Sequence, residues 1–512
     1  MLSPSSPERF DVAVVGCGPV GALAALLLGR AGLSVLAIER ETVLNRLPRA
    51  VHLDHEMMRL FQSAGVIDDV AADMRATDGH LHVGADGGVI RYMGTYGRPK
   101  PFGWANDYFF YQPELEAHLR SAMGRISSIR LELGAVFEAA QPADGRVRVR
   151  YRQGGAAREA DVRWVIGCDG ARSEVRRALG VALDDLAFEE PWLVVDAEVE
   201  GPVSFPPIAG VPPEADLQSL SVMMCDPRRP ATIVPGRGNH RRWEFMLLPG
   251  ENDAAMMEPS RVGDLVGAWM KDVPHRIVRA ATYRFHGLVA EQWKVGNIFL
   301  AGDAAHQTPP FFGQGMCHGL RDVANLAWKM AAIAKGGAAP SLLDTYQLER
   351  DGHVRAVIGA AVEAGRYICM LDPDEARHRD AQLRDRAANG NGETAADLIP
   401  AIDGGVILAG SPGAGQRFIQ PQVGEKKLDD LTGGGWRLFV RHDPGGVVHP
   451  SVTVCDVSQI ADGGALLNWL DVHGVDAVLV RPDHYVFGSC EGLATPLIEA
   501  MEEAMQMHRI AT

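Results

Sequence analysis

The segment Asp11-Val-Ala-Val-Val15-Gly16-Cys-Gly18-Pro19-Val20-Gly21 decides the fold. A short β-branched run leads into G-x-G-x-x-G, and the Ala- and Leu-rich residues 22–30 after it favour a helix. Gly16 suits a tight turn, Gly18 lets a pyrophosphate approach the backbone, and Gly21 allows helix and strand to pack closely. Strand, turn and helix together predict a dinucleotide-binding unit whose helix N-terminus faces the phosphates.

A carboxylate stands where such a unit binds ribose. The next predicted strand, residues 34–38, ends at Glu39, where an acidic side chain accepts hydrogen bonds from ribose hydroxyls. These features predict a dinucleotide site and leave FAD and NAD as alternatives.

Two later motifs have the same strand-then-loop form. The run Trp164-Val-Ile-Gly-Cys-Asp169-Gly170 leads from an apolar strand into a turn and a short helix, a junction that is also common in proteins without cofactors. The strand at residues 297–301 delivers Gly302 and Asp303, and the Pro- and Gly-rich loop 309–316 follows. Asp303 is expected at the carboxyl end of its strand, the edge at which α/β folds bind ligands.

Composition limits the classes of partner. The 512 residues suggest two to three domains, and a net charge of −15 disfavours binding to nucleic acid or to an anionic membrane. Seven dispersed cysteines without a C-x-x-C pair argue against a disulfide framework or a structural zinc site and fit a reducing cytoplasm. Residues 1–10 lack the apolar core of a signal peptide, and glycines interrupt the apolar run 12–29, so no membrane segment is expected.

The three motifs, in this order, resemble the class A flavoprotein monooxygenases with the p-hydroxybenzoate hydroxylase fold. Four further segments resemble the branch of 3-(3-hydroxyphenyl)propionate hydroxylases: Leu47-Pro-Arg49-Ala-Val-His52-Leu-Asp54-His-Glu56, Cys225-Asp-Pro-Arg-Arg-Pro230, Arg242-Trp-Glu-Phe-Met246 and Arg321-Asp-Val-Ala-Asn-Leu-Ala-Trp-Lys329. The likeness covers roughly residues 10–355.

The resemblance implies an α/β fold in which a Rossmann-like FAD-binding domain carries an inserted antiparallel β-sheet substrate domain, followed by a C-terminal thioredoxin-like domain. The expected units are residues 1–187, the first part of the FAD-binding domain with some substrate-domain strands near 75–105, and residues 188–285, the substrate-binding sheet. Residues 286–395 complete the FAD-binding domain with a helical region, and residues 396–512 form the tail domain. The tail lacks a cysteine pair at redox spacing, so packing or oligomer contact is its expected role.

The resemblance also assigns residues to the cofactor. The expected FAD contacts are Gly16, Gly18, Pro19, Val20, Gly21, Glu39, Arg40, Arg49, Gln112, Asp169, Gly302, Asp303, Pro310, Gly313, Gly315 and Met316.

The candidate catalytic residues are His52 and Tyr111. His52 follows Arg49 beside the expected flavin and titrates near neutrality, which suits a proton acceptor for a phenol, although a lone histidine is more often structural. Met223 and Phe245 lie on expected strands of the substrate sheet and are the candidate substrate contacts, although such side chains are more often core. No metal site is expected.

The implied activity is hydroxylation of a phenol. NADH or NADPH would reduce FAD, O2 would add at the flavin C4a carbon, and the resulting hydroperoxide would pass a hydroxyl group to the ring. A 3-hydroxyphenylpropionate-like phenolic acid is the expected substrate and NADH the preferred reductant. A hydroxylase of a polyketide-type phenol and a non-hydroxylating FAD oxidoreductase stay open, as does a homodimer. Outside the site, Arg350, His353 and Arg355 are expected on a solvated helix face.

Overall fold

A computed structural model describes residues 7–44, 47–271, 273–389, 398–442, 449–461 and 463–505. Its first sheet carries the dinucleotide unit and has the strand order β17-β18-β11-β1-β2-β8, with β10 added to β11 and β9 to β10. The strands are β1 (Glu8–Val15), β2 (Val35–Glu39), β8 (Ile129–Leu133), β9 (Ala135–Ala143), β10 (Arg146–Gln153), β11 (Ala156–Gly167), β17 (Lys294–Val295) and β18 (Ile298–Leu300). β1 pairs in parallel with β2 and β11, so the ends of these strands meet at one edge.

Helices cover this sheet because its central strands are buried on both faces. Helices α1 (Pro19–Arg30), α4 (Gln112–Gly124) and α5 (Glu174–Ala178) contact its strands directly. The other helices of this part of the chain are α2 (His55–Ser63), α3 (Ile67–Ala71), α8 (Gly315–Ala334), α9 (Thr345–Ile368) and α10 (Pro373–Ala388), of which the last two pack on the second sheet. Short 3-10 turns stand at Gly302–Ala304, Pro310–Phe312, Pro340–Asp344 and Val457–Gln459. Among the described residues, no helix is both long and apolar enough to cross a membrane.

The second sheet has eight strands in the order β19-β16-β12-β15-β14-β13-β5-β6. They are β5 (Gly79–Val83), β6 (Val89–Gly94), β12 (Leu183–Val199), β13 (Ser221–Met224), β14 (Ala231–Val234), β15 (His240–Met246), β16 (His275–Ala290) and β19 (His306–Gln307). Helices α6 (Asp253–Met256) and α7 (Pro259–Met270) form an apolar core with its outer face. The strands at 79–94 join this sheet through a parallel pair of β5 with β13, and the central pairs of the sheet are antiparallel.

A small third sheet, β3 (His52–Asp54), β7 (Asp107–Phe109) and β4 (Arg75–Thr77), lies between the two large ones. Val51 and Phe109 from this region pack with Val234 of the second sheet. The small sheet therefore brings the His52 segment up to the second sheet, which is called the substrate sheet below after its expected role.

The C-terminal unit has a sheet in the order β23-β22-β24-β25. Its elements are β20 (Gln422–Val423), β21 (Lys426–Lys427), α11 (Leu428–Thr432), β22 (Trp436–Val440), β23 (Val452–Asp456), α12 (Gly464–His473), β24 (Ala477–Val480), β25 (Val486–Cys490) and α13 (Thr495–Ala504). One parallel pair and two antiparallel pairs build the sheet. The thioredoxin-like assignment stays a prediction, and its expected start at residue 396 lies outside the described residues.

Buried ion pairs attach this unit to the rest of the chain. Arg59 Nε donates to Asp429 Oδ2 at 2.6 Å, and Arg481 Nη2 donates to Glu349 Oε2 at 2.7 Å. Tyr485 also donates its hydroxyl hydrogen to Glu56 at 2.9 Å. Because a buried charge is costly unless paired, these contacts fix the tail on the FAD-binding domain.

One expectation for the second half of the chain is wrong. Arg350 and His353 are buried, at 1% and 3% exposure, although a solvated helix face was expected. Arg350 Nε donates to Asp322 Oδ1 at 2.9 Å, so α9 packs its charged face against a carboxylate of α8. Arg355 is half-buried and pairs with Asp184 and Asp351.

Candidate active site

The glycine turn between β1 and α1 has the geometry that a pyrophosphate requires. Gly16 has φ +91°, in the left-handed region, and a Cβ at Gly21 would lie 1.9 Å from the Gly16 carbonyl oxygen. A Cβ at Gly18 would meet nothing within 4 Å. Gly16 and Gly21 are thus required by the turn and the packing, whereas Gly18 borders open space.

The N-terminus of α1 is available to an anion. Pro19 occupies the first turn, and Gly18, the N-cap, provides no side-chain hydrogen bond to the helix. The partly exposed Val20 packs its side chain toward Gly302, so the two cofactor motifs touch each other at this point. Uncapped N–H groups and the positive end of the helix dipole favour a phosphate here.

Glu39 stands at the end of β2, as expected. Its carboxylate accepts hydrogen bonds from the backbone N–H of Cys17 at 2.7 Å and of Glu41 at 2.9 Å, which fixes it beside the glycine turn. Arg40, also expected to contact FAD, is exposed and pairs with Glu41.

Gln112 shapes the loop that carries Arg49. Its side-chain oxygen accepts from the backbone N–H of Arg49 at 2.9 Å and of Ala50 at 2.8 Å, and its amide donates to Glu116. The Arg49 side chain is exposed, and its charge counters the rise in the pKa of Asp303. Gln112 therefore acts on the backbone of the loop, and Arg49 is the residue that reaches the cleft.

Asp303 lies in a deep cleft. The Asp303 side chain is reached by solvent, but protein atoms surround it closely. This desolvation raises the pKa of its carboxyl group, and the charges of Arg49 and His306 oppose the rise. Asp322 fixes the turn that carries Asp303, because it accepts a hydrogen bond from the Gly302 backbone N–H at 3.0 Å and pairs with His306 at 2.7 Å. Asp322 is fully buried and was not identified as a site residue from the sequence.

The loop after Asp303 exposes selected residues to the same cleft. Phe311, Phe312 and Gln314 are buried, and Arg321 of α8 donates to the Gln314 side chain at 3.0 Å. The four residues expected to contact the flavin are all partly exposed: Pro310, Gly313, Gly315 and Met316.

His52 supports this loop. A Cβ at Gly313 would lie 2.5 Å from His52 Nδ1, and His52 Nε2 is 3.0 Å from Asp107 Oδ1. Burial alone would lower the pKa of His52, but the hydrogen bond and charge of Asp107, together with Asp54, outweigh burial and raise it. A histidine that keeps its proton is a poor acceptor, so these contacts favour a supporting role over the predicted role as a base.

Tyr111 and Asp169, also predicted as site residues, both lie at the N-termini of helices. Tyr111 is the N-cap of α4, with its ring 5.7 Å from that of His240, and burial raises the pKa of its hydroxyl. Asp169 caps α5 by accepting from Ser173 and from the backbone N–H of Glu174 and Val175. The contact of either residue with substrate or cofactor stays a prediction.

The two predicted substrate contacts, Met223 and Phe245, lie on opposite faces of the substrate sheet. Met223 lies on the inner face, which looks toward the FAD-binding domain. Phe245 belongs to the core formed with α7 behind the sheet, beside Trp243, and this placement contradicts its expected contact with substrate. Side chains alternate along a strand, so Glu244 and Met246 of β15 take the inner face instead.

Two arginines of the inner face hold the Arg49 loop. Arg242 donates to the carbonyl oxygens of Arg49 and Pro48, each at 2.6 Å, and Arg279 donates to the Pro48 oxygen at 2.8 Å. Asp196 balances their charge and is fully buried. Burial by itself would raise the pKa of Asp196, but His240 and Arg242 lower it to about 2, so it stays ionised.

These residues fit FAD. The open space at Gly18 and the uncapped α1 suit a pyrophosphate, and Glu39 is fixed at the position of a ribose partner. Asp303 is exposed in the cleft and makes no side-chain hydrogen bond to any residue that the structure describes. Among the described residues, no group of three or more His, Cys, Asp or Glu could hold a metal ion. The individual FAD contacts stay predictions.

Comparisons with known proteins agree with this geometry. Residues 9–361 match the family described as FAD binding domain. The "Probable NADH-specific resorcinol 4-hydroxylase" of Rhodococcus jostii (strain RHA1) is 34% identical, covering 96% of each chain. The "3-(3-hydroxy-phenyl)propionate/3-hydroxycinnamic acid hydroxylase" of Burkholderia cenocepacia (strain HI2424) is 33% identical, covering 95% of this chain and 94% of that one.

Solved structures share the fold over almost the whole chain. The flavin-dependent monooxygenase PieE in complex with FAD and substrate superposes with a TM-score of 0.79, at 23% identity, over 98% of this chain and 100% of that one. Aklavinone-11 hydroxylase with FAD and aklavinone gives a TM-score of 0.77 at 22% identity, with the same coverage.

Proposed function

We propose that this chain, which belongs to the FAD binding domain family and is a flavin-dependent aromatic monooxygenase, hydroxylates a small phenol that carries a second substituent meta to its hydroxyl group. The names of both relatives support this class, because resorcinol and 3-(3-hydroxyphenyl)propionate are both meta-substituted phenols. NADH is the proposed reductant, since one relative is named as specific for it. The free thiols of all seven cysteines support a reducing, cytoplasmic location.

The observation that carries the proposal is the contact between the cofactor cleft and the substrate sheet. The Arg49 loop lies beside Asp303 on one side and is held by Arg242 of the substrate sheet on the other. On the same inner face, the Trp192 ring lies 5.9 Å from that of Phe311, in the turn after Asp303. A ring bound under this sheet would therefore lie against the flavin.

Each part of the chain has a defined task in this reaction. FAD, when bound, supplies the transfer of electrons from NADH and the activation of O2. The Asp303 turn and the glycine turn bind and orient the cofactor, and the Arg242 contacts keep the loop closed over it. The buried Trp192 and Phe311, with the partly buried Phe285, exclude water from the chamber, which limits wasteful loss of activated oxygen.

A basic cavity favours a substrate with an acidic side chain. It has a volume of about 1130 Å³ and is lined by Phe312, Tyr367, Arg91 and four further arginines, against two acidic residues, Glu363 and Asp385. Phe312 belongs to the loop 309–316, which is expected to contact the flavin and is called the flavin loop below. The cavity therefore adjoins this loop. We propose that Arg91 and Tyr367 receive the carboxylate of a phenylpropionate-like substrate, because arginine and a hydroxyl donor both bind carboxylates well.

The second candidate substrate is resorcinol, favoured by the name of the relative from Rhodococcus jostii. The two candidates are separated by measuring NADH oxidation by the FAD-loaded enzyme with each phenol. Stimulation by 3-(3-hydroxyphenyl)propionate that falls in Arg91→Met supports the acidic substrate. Stimulation by resorcinol alone, unchanged in Arg91→Met, would replace it with the second candidate, and stimulation only by a polyketide-type phenol would reject both.

A further inference from the structure

Glu244 is placed on the inner face of the substrate sheet. It lies on β15, opposite Val194 of β12 and Thr232 of β14. Its neighbours Trp243 and Phe245 pack into the core behind the sheet, so the alternation along the strand points Glu244 toward the FAD-binding domain.

This carboxylate faces an internal chamber. Val194 and Thr232, its cross-strand neighbours, are each only 4% exposed, whereas Glu244 is partly exposed. Trp192, Met223 and Met246 of the same face pack into the core shared with the FAD-binding domain. The accessible surface of Glu244, in the middle of this covered sheet, therefore requires open space in front of its side chain. The chamber is therefore bordered by Glu244.

Within the described part of the chain, Glu244 has no hydrogen-bond or ion-pair partner. The nearest acid on the same face behaves differently, because Asp196 accepts from Arg242 at 2.8 Å and is 3.0 Å from His240. A carboxylate surrounded by protein is costly without a donor. Glu244 thus needs a donor that the substrate chamber would supply.

The surroundings of Glu244 suit a proton acceptor. Burial raises the pKa of Glu244 to about 7, with Arg242 lowering it and Asp196 adding to the rise. Arg242 lies on the same strand as Glu244, Asp196 lies on the flanking strand β12 together with the more distant Glu198, and the flanking strand β14 contributes the uncharged Thr232. His82 and Arg91 share the cross-sheet row of Glu244 through Thr232 and Met223, about 14 and 19 Å away by the usual strand spacing.

Glu244 also lies between the two contacts that the sheet makes with the cofactor cleft. Two residues before it, Arg242 binds the Arg49 loop. Two residues after it, Met246 pairs with Trp192, whose ring contacts Phe311 of the flavin loop. A substrate ring held against the flavin would therefore contact Glu244 on the inner face of the sheet.

We propose that Glu244 binds the hydroxyl group of the phenolic substrate and accepts its proton, an inference that rests on the proposed function. The phenol O–H bond breaks, a carboxyl O–H bond forms on Glu244, and the negative charge passes to the phenolate oxygen. The phenolate donates electrons to the ring and makes it a better nucleophile. Glu244 is thus the catalytic residue that prepares the ring for hydroxylation.

The test measures substrate binding to the FAD-loaded enzyme by the change in flavin absorbance, with resorcinol and 3-(3-hydroxyphenyl)propionate as probes. Below the pKa of Glu244, the wild-type affinity should rise by up to about 10-fold per pH unit and then level off above neutrality. Glu244→Gln should bind weakly at every pH, without this rise, and hydroxylate about 10²–10⁴-fold more slowly. Glu244→Asp should keep the rise with pH.

Glu198→Gln is the matched control, since Glu198 pairs with Arg276 near the end of β12 and is 43% exposed. It should behave as the wild type in binding and turnover. Retention of the pH-dependent rise in Glu244→Gln would overturn the proposal, as would equal losses of flavin and thermal stability that explain its slow turnover. If the wild type binds and hydroxylates neither phenol, the proposed function fails first and this inference fails with it.

Discussion

Arg242 Nη1 donates to the carbonyl oxygen of Arg49 at 2.6 Å, across 193 positions of sequence. This bond joins the middle of the substrate sheet to the loop beside Asp303, and Asp196 neutralises the arginine within the sheet. A change in the substrate sheet is therefore transmitted to the Arg49 loop through two buried side chains, Arg242 and Arg279.

Replacement of Arg242 by Met should weaken both stability and flavin binding. The change removes one buried partner of Asp196 and leaves His240 and Arg279 beside it, so the cost should stay below the about 3–5 kcal/mol of a fully broken buried pair. Thermal unfolding and flavin titration measure the two effects. The double variant Arg242→Met with Asp196→Asn should recover stability without recovering flavin affinity, and recovery of both would show that the Arg49 loop does not need Arg242.

Alanine at Gly18 and at Gly21 should have opposite consequences. A Cβ at Gly18 meets no protein atom, so Gly18→Ala should fold normally and lose FAD, because the methyl group occupies the space of the pyrophosphate. A Cβ at Gly21 would lie 1.9 Å from a backbone oxygen, so Gly21→Ala should lower the melting temperature even of flavin-stripped protein. Normal FAD occupancy in Gly18→Ala would contradict the assigned pyrophosphate site.

Asp303→Ala should bind FAD about 10- to 150-fold more weakly, since a hydrogen bond to a charged group contributes about 1.5–3 kcal/mol. Asp303→Asn, which keeps an acceptor oxygen, should lose less. The melting temperature of flavin-stripped protein should change little, because the carboxylate is exposed in the cleft. Unchanged flavin affinity in the alanine variant would disprove its role in binding FAD.

His52→Ala should keep part of its FAD but release more peroxide per NADH, because the Gly313 loop loses the ring that supports it. The pKa of His52 is raised in the folded protein, so the stabilisation from its pair with Asp107 is complete below about pH 6.5 and is lost as the pH rises through the raised pKa. The loss of unfolding free energy in His52→Ala should therefore be larger in mild acid than in mild alkali. A loss that grows toward alkaline pH, or wild-type coupling in a stable variant, would exclude this role.

The sequence alone was sufficient to predict those site features whose geometry is determined by neighbouring residues. The positive φ of Gly16, the close packing of Gly21 and the position of Glu39 at the end of β2 follow from neighbouring residues alone. An inserted antiparallel sheet within residues 188–285 was expected from the short alternating runs there, but not its eight strands or the parallel pairing of β5 with β13.

The remaining features depend on contacts between distant segments. Alternation along β15 shows that Glu244 and Phe245 face opposite ways, but only the packing of α7 shows which face is the core, and the choice of Phe245 was wrong for that reason. Arg350 resembles a surface residue until Asp322, 28 positions earlier, is found beside it. Such pairings leave no local signal in one sequence.

The most direct test of the account is a reaction of the FAD-loaded enzyme with NADH and 3-(3-hydroxyphenyl)propionate under oxygen-18 gas, followed by mass spectrometry of the product. Hydroxylation predicts one labelled oxygen atom in each product molecule and one NADH oxidised for each. The same experiment with resorcinol distinguishes the second candidate substrate. NADH oxidation that yields only peroxide with every phenol, or a product oxygen derived from water, would contradict the assignment as a monooxygenase.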